Sequence, residues 1–134
     1  MGYEKNVLEY LDRAAEQMPD KTAVQEEKQQ LTFLELQKLS RQIGTAVAHL
    51  VQAVRRPVAV LCDREALAFA AFLGVLQSGN CYVPLEAKMP QQRLDAILGQ
   101  LQPAAVLYLE RTKVQHRPMQ EAFRCSVWNR QPRR

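Results

Sequence analysis

The segment Val58-Ala59-Val60-Leu61-Cys62 is a continuous apolar run that directly follows a proline. A second short apolar run, Cys81-Tyr82-Val83-Pro84-Leu85, begins 19 residues after the first one ends. Short apolar runs without polar alternation are typical of strands buried on both faces, as in a parallel sheet. Between the two runs, residues 66–76 form an 11-residue stretch without a polar side chain. The order of strand, helix and strand therefore predicts a parallel crossover unit.

Short signals mark the ends of these elements. Asp63 is placed to cap the helix, and Ser78-Gly79 supplies its stop. Pro84 is expected to end the second strand because proline cannot donate to a ladder. A further helix then begins near Pro90, and residues 104–109 after it read as a third buried strand. The apolar stripe of that helix is Leu94, Ile97, Leu98 and Leu101.

The residues before this unit predict a helix, a hairpin and a second helix. Asn6 is predicted to be the N-cap of a first helix, and Thr22-Ala23-Val24 with Leu31-Thr32-Phe33 predicts a short hairpin. Thr32 and Glu35 form a capping box at the start of the second helix. The first helix carries the apolar stripe Val7, Leu8, Leu11, Ala14, Ala15 and Met18. The predicted fold is α/β, with a mostly parallel sheet, flanking helices and a short N-terminal hairpin.

The charge of the chain changes near residue 110. Residues 1–110 contain 11 Lys and Arg against 13 Asp and Glu, a net charge of −2, whereas residues 111–134 contain 7 against 1, or +6. Because the hydrophobic periodicity is lost at the same place, we predict a body over residues 1–110 and a basic, poorly patterned tail over residues 111–134. A helix over residues 112–123 and a last strand at Cys125-Ser126-Val127-Trp128 are alternatives for part of this tail. We expect its removal to cost little burial.

Composition excludes several classes of protein. At 134 residues, 47% hydrophobic and 24% charged, the chain has the composition of one globular domain or a piece of one. The apolar stretch over residues 66–76 is shorter than the roughly 20 residues that span a bilayer, and the acidic first 25 residues do not fit a secretory signal. We therefore expect a cytoplasmic protein without a membrane partner. Nucleic-acid binding through the basic tail is the weakest alternative, because the positive charge is terminal.

Few residues are candidates for chemistry. The chain has three cysteines, Cys62, Cys81 and Cys125, without a CxxC pair, so free thiols fit best and no metal site is expected. Cys62 and Cys81 lie in apolar strands and are expected to be buried and inert. Neither His49 nor His116 is spaced to serve as a base for a nucleophile. The cluster Asp63-Arg64-Glu65 follows a strand at a position where such sheets often bind ligands, although capping and ion pairing explain it equally well.

A phosphate-binding loop is not expected from the glycines. Gly74 and Gly79 have the spacing of a P-loop, but Asn80-Cys81 follows them where lysine and a hydroxyl residue are required. Gly74 also falls in the middle of a predicted helix.

Several segments taken together resemble the opening of adenylate-forming enzymes. They are Pro19-Asp20-Lys21-Thr22-Ala23-Val24, Leu31-Thr32-Phe33-Leu34-Glu35-Leu36, Val58 through Arg64, Gly74 through Glu86, and Pro90 with Arg93-Leu94. The resemblance spans about residues 5 to 109 and is closest to amino-acid adenylation domains of nonribosomal peptide synthetases and to D-alanine carrier-protein ligases. It implies that a carboxylate, expected to be that of an amino acid, is activated with ATP and Mg to an acyl-adenylate. The acyl group then passes to a thiol of a carrier protein or coenzyme A.

The resemblance covers scaffold segments alone. The family's phosphate loop, its nucleotide-binding motifs and its catalytic lysine have no counterpart in these 134 residues. No catalytic, cofactor-binding or metal-binding residue is therefore assigned. We expect a truncated N-terminal piece of an AMP-binding ligase that is inactive by itself. Its expected partner is the missing remainder of the ligase. The alternative is a non-catalytic α/β interaction module or pseudoenzyme that retained the scaffold.

Overall fold

The computed structural model describes residues 6–27, 29–63, 65–109 and 123–127. Four helices and six strands lie within these ranges. In chain order they are α1 (Val7–Gln17), β1 (Thr22–Gln25), β2 (Gln30–Thr32), α2 (Phe33–Val51), β3 (Pro57–Cys62), α3 (Ala66–Gln77), β4 (Cys81–Glu86), α4 (Gln91–Leu101), β5 (Ala105–Leu109) and β6 (Phe123–Val127). Within the described ranges, no helix is both long and apolar enough to cross a membrane.

The helix starts predicted at Asn6 and Thr32 are confirmed. The Asn6 side chain accepts hydrogen bonds from the backbone N–H groups of Leu8 and Glu9, which leaves fewer unpaired donors at the start of α1. At the start of α2, Thr32 accepts from the N–H of Glu35, and the Glu35 carboxylate accepts from the N–H of Thr32. The capping box therefore fixes the point where the hairpin turns into the helix.

The start of α3 differs from the prediction. The helix begins at Ala66, so Glu65 rather than Asp63 occupies the N-cap position, and Glu65 makes no capping hydrogen bond through its side chain. The reason is a tight turn before the helix, in which the N–H of Glu65 donates to the carbonyl of Asp63 at 2.9 Å.

The main sheet has four strands in the order β4-β3-β5-β6. β3 pairs in parallel with both β4 and β5, whereas β6 pairs antiparallel to β5. The predicted α/β fold with a mostly parallel sheet is confirmed, and β1 and β2 form the predicted hairpin as a separate antiparallel pair. Because the side chains of a strand alternate between faces, each central strand contributes to two cores.

Helices cover both faces of the sheet. α2 and α3 pack on the face that contains Val58, Val60 and Leu107, and α4 packs on the opposite face against Ala59 and Val106. The residues named on the first face are at most 1% exposed. This arrangement explains why the strands β3 and β5 consist of continuous apolar runs.

Pro84 does not end β4, contrary to the prediction. The strand continues to Glu86, and Pro84 is paired with Val60 of β3. Proline is tolerated here because β4 is an edge strand, so the missing N–H removes no bond to a further strand. The same edge position exposes Cys81, which corrects the expectation that this thiol is buried.

The tail prediction is corrected for five residues. Residues 123–127 form β6, and Cys125 packs against the main core, so this part of the segment belongs to the sheet. The last-strand alternative, Cys125 to Trp128, is confirmed at residues 125–127, and the helix alternative over residues 112–123 is wrong at Phe123, which lies in β6. Trp128 and residues 112–122 lie outside the described residues. The division at residue 110 stays a prediction.

Asn80 joins the start of β3 to the turn before β4. Its side chain is 3% exposed, its Oδ1 accepts from the N–H of Arg56 at 3.0 Å, and its Nδ2 donates to the Ser78 hydroxyl at 3.0 Å. Asn80→Ala is expected to lower the free energy of unfolding by about 1–3 kcal/mol, because partners are left unpaired inside the protein. Urea unfolding followed by circular dichroism measures this loss.

The matched control is Gln91→Ala. Gln91 Nε2 donates to Asp95 at 2.8 Å on the surface of α4, so this variant removes a hydrogen bond that water replaces. We expect a change below about 0.5 kcal/mol. If Asn80→Ala were no more destabilising than Gln91→Ala, the buried hydrogen bonds of Asn80 would not stabilise the junction.

Candidate functional site

The carboxyl ends of β3 and β4 form one side of a shallow depression. Its volume is about 540 Å³, and it is lined by Cys62, Asp63, Pro84, Leu85, Glu86 and Lys88. The parallel pairing aligns Cys62 with Glu86 at the end of both strands. Ligands of α/β proteins often bind beyond the carboxyl ends of parallel strands, so this depression is the first candidate for a site.

At the carboxyl ends of these strands, the surroundings favour the neutral forms of Cys62 and Glu65. Burial raises the pKa of the Cys62 thiol above its ordinary value, and the negative charge of Glu65 raises it further. Burial likewise raises the pKa of the Glu65 carboxyl, with a smaller contribution from Glu26 on the hairpin. A thiol whose pKa is raised has little thiolate at neutral pH, so Cys62 is not activated as a nucleophile.

The depression does not fit a nucleotide phosphate. Asp63 and Glu86 contribute two carboxylates and Lys88 one ammonium group to its lining. Helix α3 starts directly after Glu65, whose side chain is a further carboxylate. Arg64, which lies between Asp63 and Glu65 in the sequence, is outside the described residues. Phosphate sites need convergent N–H donors or cations, and among the described lining residues Lys88 is the only cation.

A cluster of aromatic side chains lies beside a second depression, which the hairpin and the start of α3 enclose. The Phe72 and Tyr82 rings stack with centroids 4.6 Å apart, and Phe69 meets Phe72 edge to face at 6.1 Å. Phe69 is 53% exposed although its helix is apolar almost all round.

A third depression lies between α2 and the β5–β6 side of the sheet. This α2–β6 groove has a volume of about 720 Å³ and is lined by Leu39, Gln42, Ile43, Ala46, Val47, His49, Leu50, Gln52, Leu107 and Cys125. Burial raises the pKa of the Cys125 thiol to about 11. Most of the lining is apolar, which suits a packing surface better than a site for chemistry. Sequence reasoning missed this groove because β6 was left among the tail residues.

The remaining candidates do not form a site. Gly74 lies inside α3 and Gly79 follows its end with a φ of +82°, so the P-loop spacing reflects helix packing and a turn. His49 lies on α2 at the rim of the α2–β6 groove, and His116 lies outside the described residues. In the part of the chain that the structure describes, no group of three or more His, Cys, Asp and Glu could hold a metal ion.

Comparison with protein-family models gives one match. The model described as "AMP-binding enzyme" covers residues 11–129, which include every strand and nearly all helical residues described above. Surfactin synthase subunit 1 of Bacillus subtilis is 33% identical over 91 residues, covering 68% of this chain and 2% of the synthase.

Two further comparisons extend the likeness. The D-alanine–D-alanyl carrier protein ligase of Staphylococcus haemolyticus is 23% identical over 116 residues, covering 87% of this chain and 23% of the ligase. The crystal structure of a nonribosomal peptide synthetase, FmoA3, with AMPPNP bound superposes with a TM-score of 0.74 at 26% identity, covering 80% of this chain and 12% of the synthetase. The chain spans less than a quarter of the length of each of these proteins.

Proposed function

The chain belongs to the AMP-binding enzyme family, and on this premise we propose that it forms the N-terminal scaffold of a carboxylate-activating domain. In the proposed reaction of the whole domain, a carboxylate oxygen attacks the α-phosphate of ATP, and pyrophosphate leaves. A thiol then attacks the carbonyl carbon of the acyl-adenylate, so that a thioester forms and AMP leaves. The observation that carries this proposal is a family match that runs through the layered fold from within α1 to the end of β6.

The substrate and the acceptor are proposed from the relatives. Surfactin synthase and a D-alanyl carrier protein ligase support an amino acid as the carboxylate and a carrier-protein thiol as the acceptor. Mg²⁺ would accompany ATP, because metal ions offset the charge that builds up in phosphoryl chemistry. The described residues offer no acyl pocket from which the amino acid could be deduced, so the proposal stops at this class of substrate.

We further propose that these 134 residues do not catalyse adenylation by themselves. Catalysis of this chemistry depends on cations and N–H donors placed around the phosphates in the transition state. The sequence has no Gly-rich loop with a lysine, and the lining at the strand ends carries more carboxylates than ammonium groups. In this proposal, the residues of the chain position the rest of the domain and do not contact the reacting atoms.

The purified chain is therefore expected to catalyse no amino-acid-dependent exchange between ATP and labelled pyrophosphate above a blank without enzyme. Each of the common amino acids is tested in a preparation free of host ligases. Exchange that depends on an amino acid and increases with the chain's concentration would contradict the absence of activity.

A chimera tests the scaffold role directly. The matched stretch of the surfactin synthase domain is replaced by the corresponding residues of this chain, and exchange is measured again. If the stretch is scaffold alone, exchange should stay within about tenfold of the parent domain, a change of about 1.4 kcal/mol in activation free energy. A folded chimera with exchange at the level of the blank would favour the non-catalytic interaction module instead.

A further inference from the structure

No further inference is drawn: the strongest candidate, the aromatic cluster of Phe69, Phe72 and Tyr82 beside the depression between the hairpin and the start of α3, carries nothing because nothing in the part of the chain that the structure describes shows what covers it.

Discussion

Replacement of Gly74 with alanine is expected to lower the free energy of unfolding by about 2–3 kcal/mol, the cost of forcing an extra group into a packed interior. A Cβ atom at Gly74 would lie 2.5 Å from Cγ2 and 2.7 Å from Cβ of Ile43, and 3.1 Å from the carbonyl oxygen of Ser40. These atoms are the stem of a buried side chain and a backbone group, so relief requires α2 and α3 to move apart. The gain in helix propensity, about 1 kcal/mol, is too small to offset this strain.

Gly99→Ala is the matched control for Gly74→Ala. Gly99 also lies inside a helix, α4, but a Cβ atom there would meet nothing within 4 Å. The same substitution should therefore raise the free energy of unfolding by up to about 1 kcal/mol. Urea unfolding followed by circular dichroism compares the two variants. If both shifted the midpoint in the same direction, the close approach of α2 and α3 at Gly74 would not constrain the fold.

Local signals in the sequence predicted most of the fold. The Thr32–Glu35 capping box and the apolar run of β3 each depend on residues a few positions apart, and both were confirmed. Pro84 was misread because its effect depends on whether β4 is an edge strand, which a single strand cannot reveal. Asp63 was misread because the turn before α3 uses backbone hydrogen bonds, which any residue type can make.

The candidate surfaces could not be predicted in the same way. The α2–β6 groove joins Leu50 to Cys125, which are separated by 75 residues and meet only through the order of strands in the sheet. The exposed Phe69 likewise belongs to an apolar helix whose uncovered side depends on β4 being the edge. The hydrophobic pattern of a sequence indicates which side chains favour burial, but the topology of the fold determines which neighbours bury them.

A chain that stops after Leu109 is expected to lose its cooperative thermal transition. β6 pairs with β5 along five residue pairs, and Cys125 packs on the core that contains Leu107. Without β6, the apolar strand β5 becomes an open edge, and Leu107 and Ala105, now at most 1% exposed, lie beside solvent. Open apolar edges favour association over a unique folded monomer. Circular dichroism during heating, with sedimentation at the same concentration, measures both effects.

A chain that ends at Val127 tests the contribution of β6 separately from that of the basic residues that follow it. It retains β6 but lacks Arg130, Arg133 and Arg134, so three of the seven basic residues of the tail are removed without loss of the sheet. We expect its transition midpoint to stay within about 3 °C of the full chain, the shift that a change of less than 1 kcal/mol produces at this size. If the chain ending at Leu109 unfolded at the same temperature as this one, β6 would contribute no stability, and residue 110 would be a true boundary of the folded body.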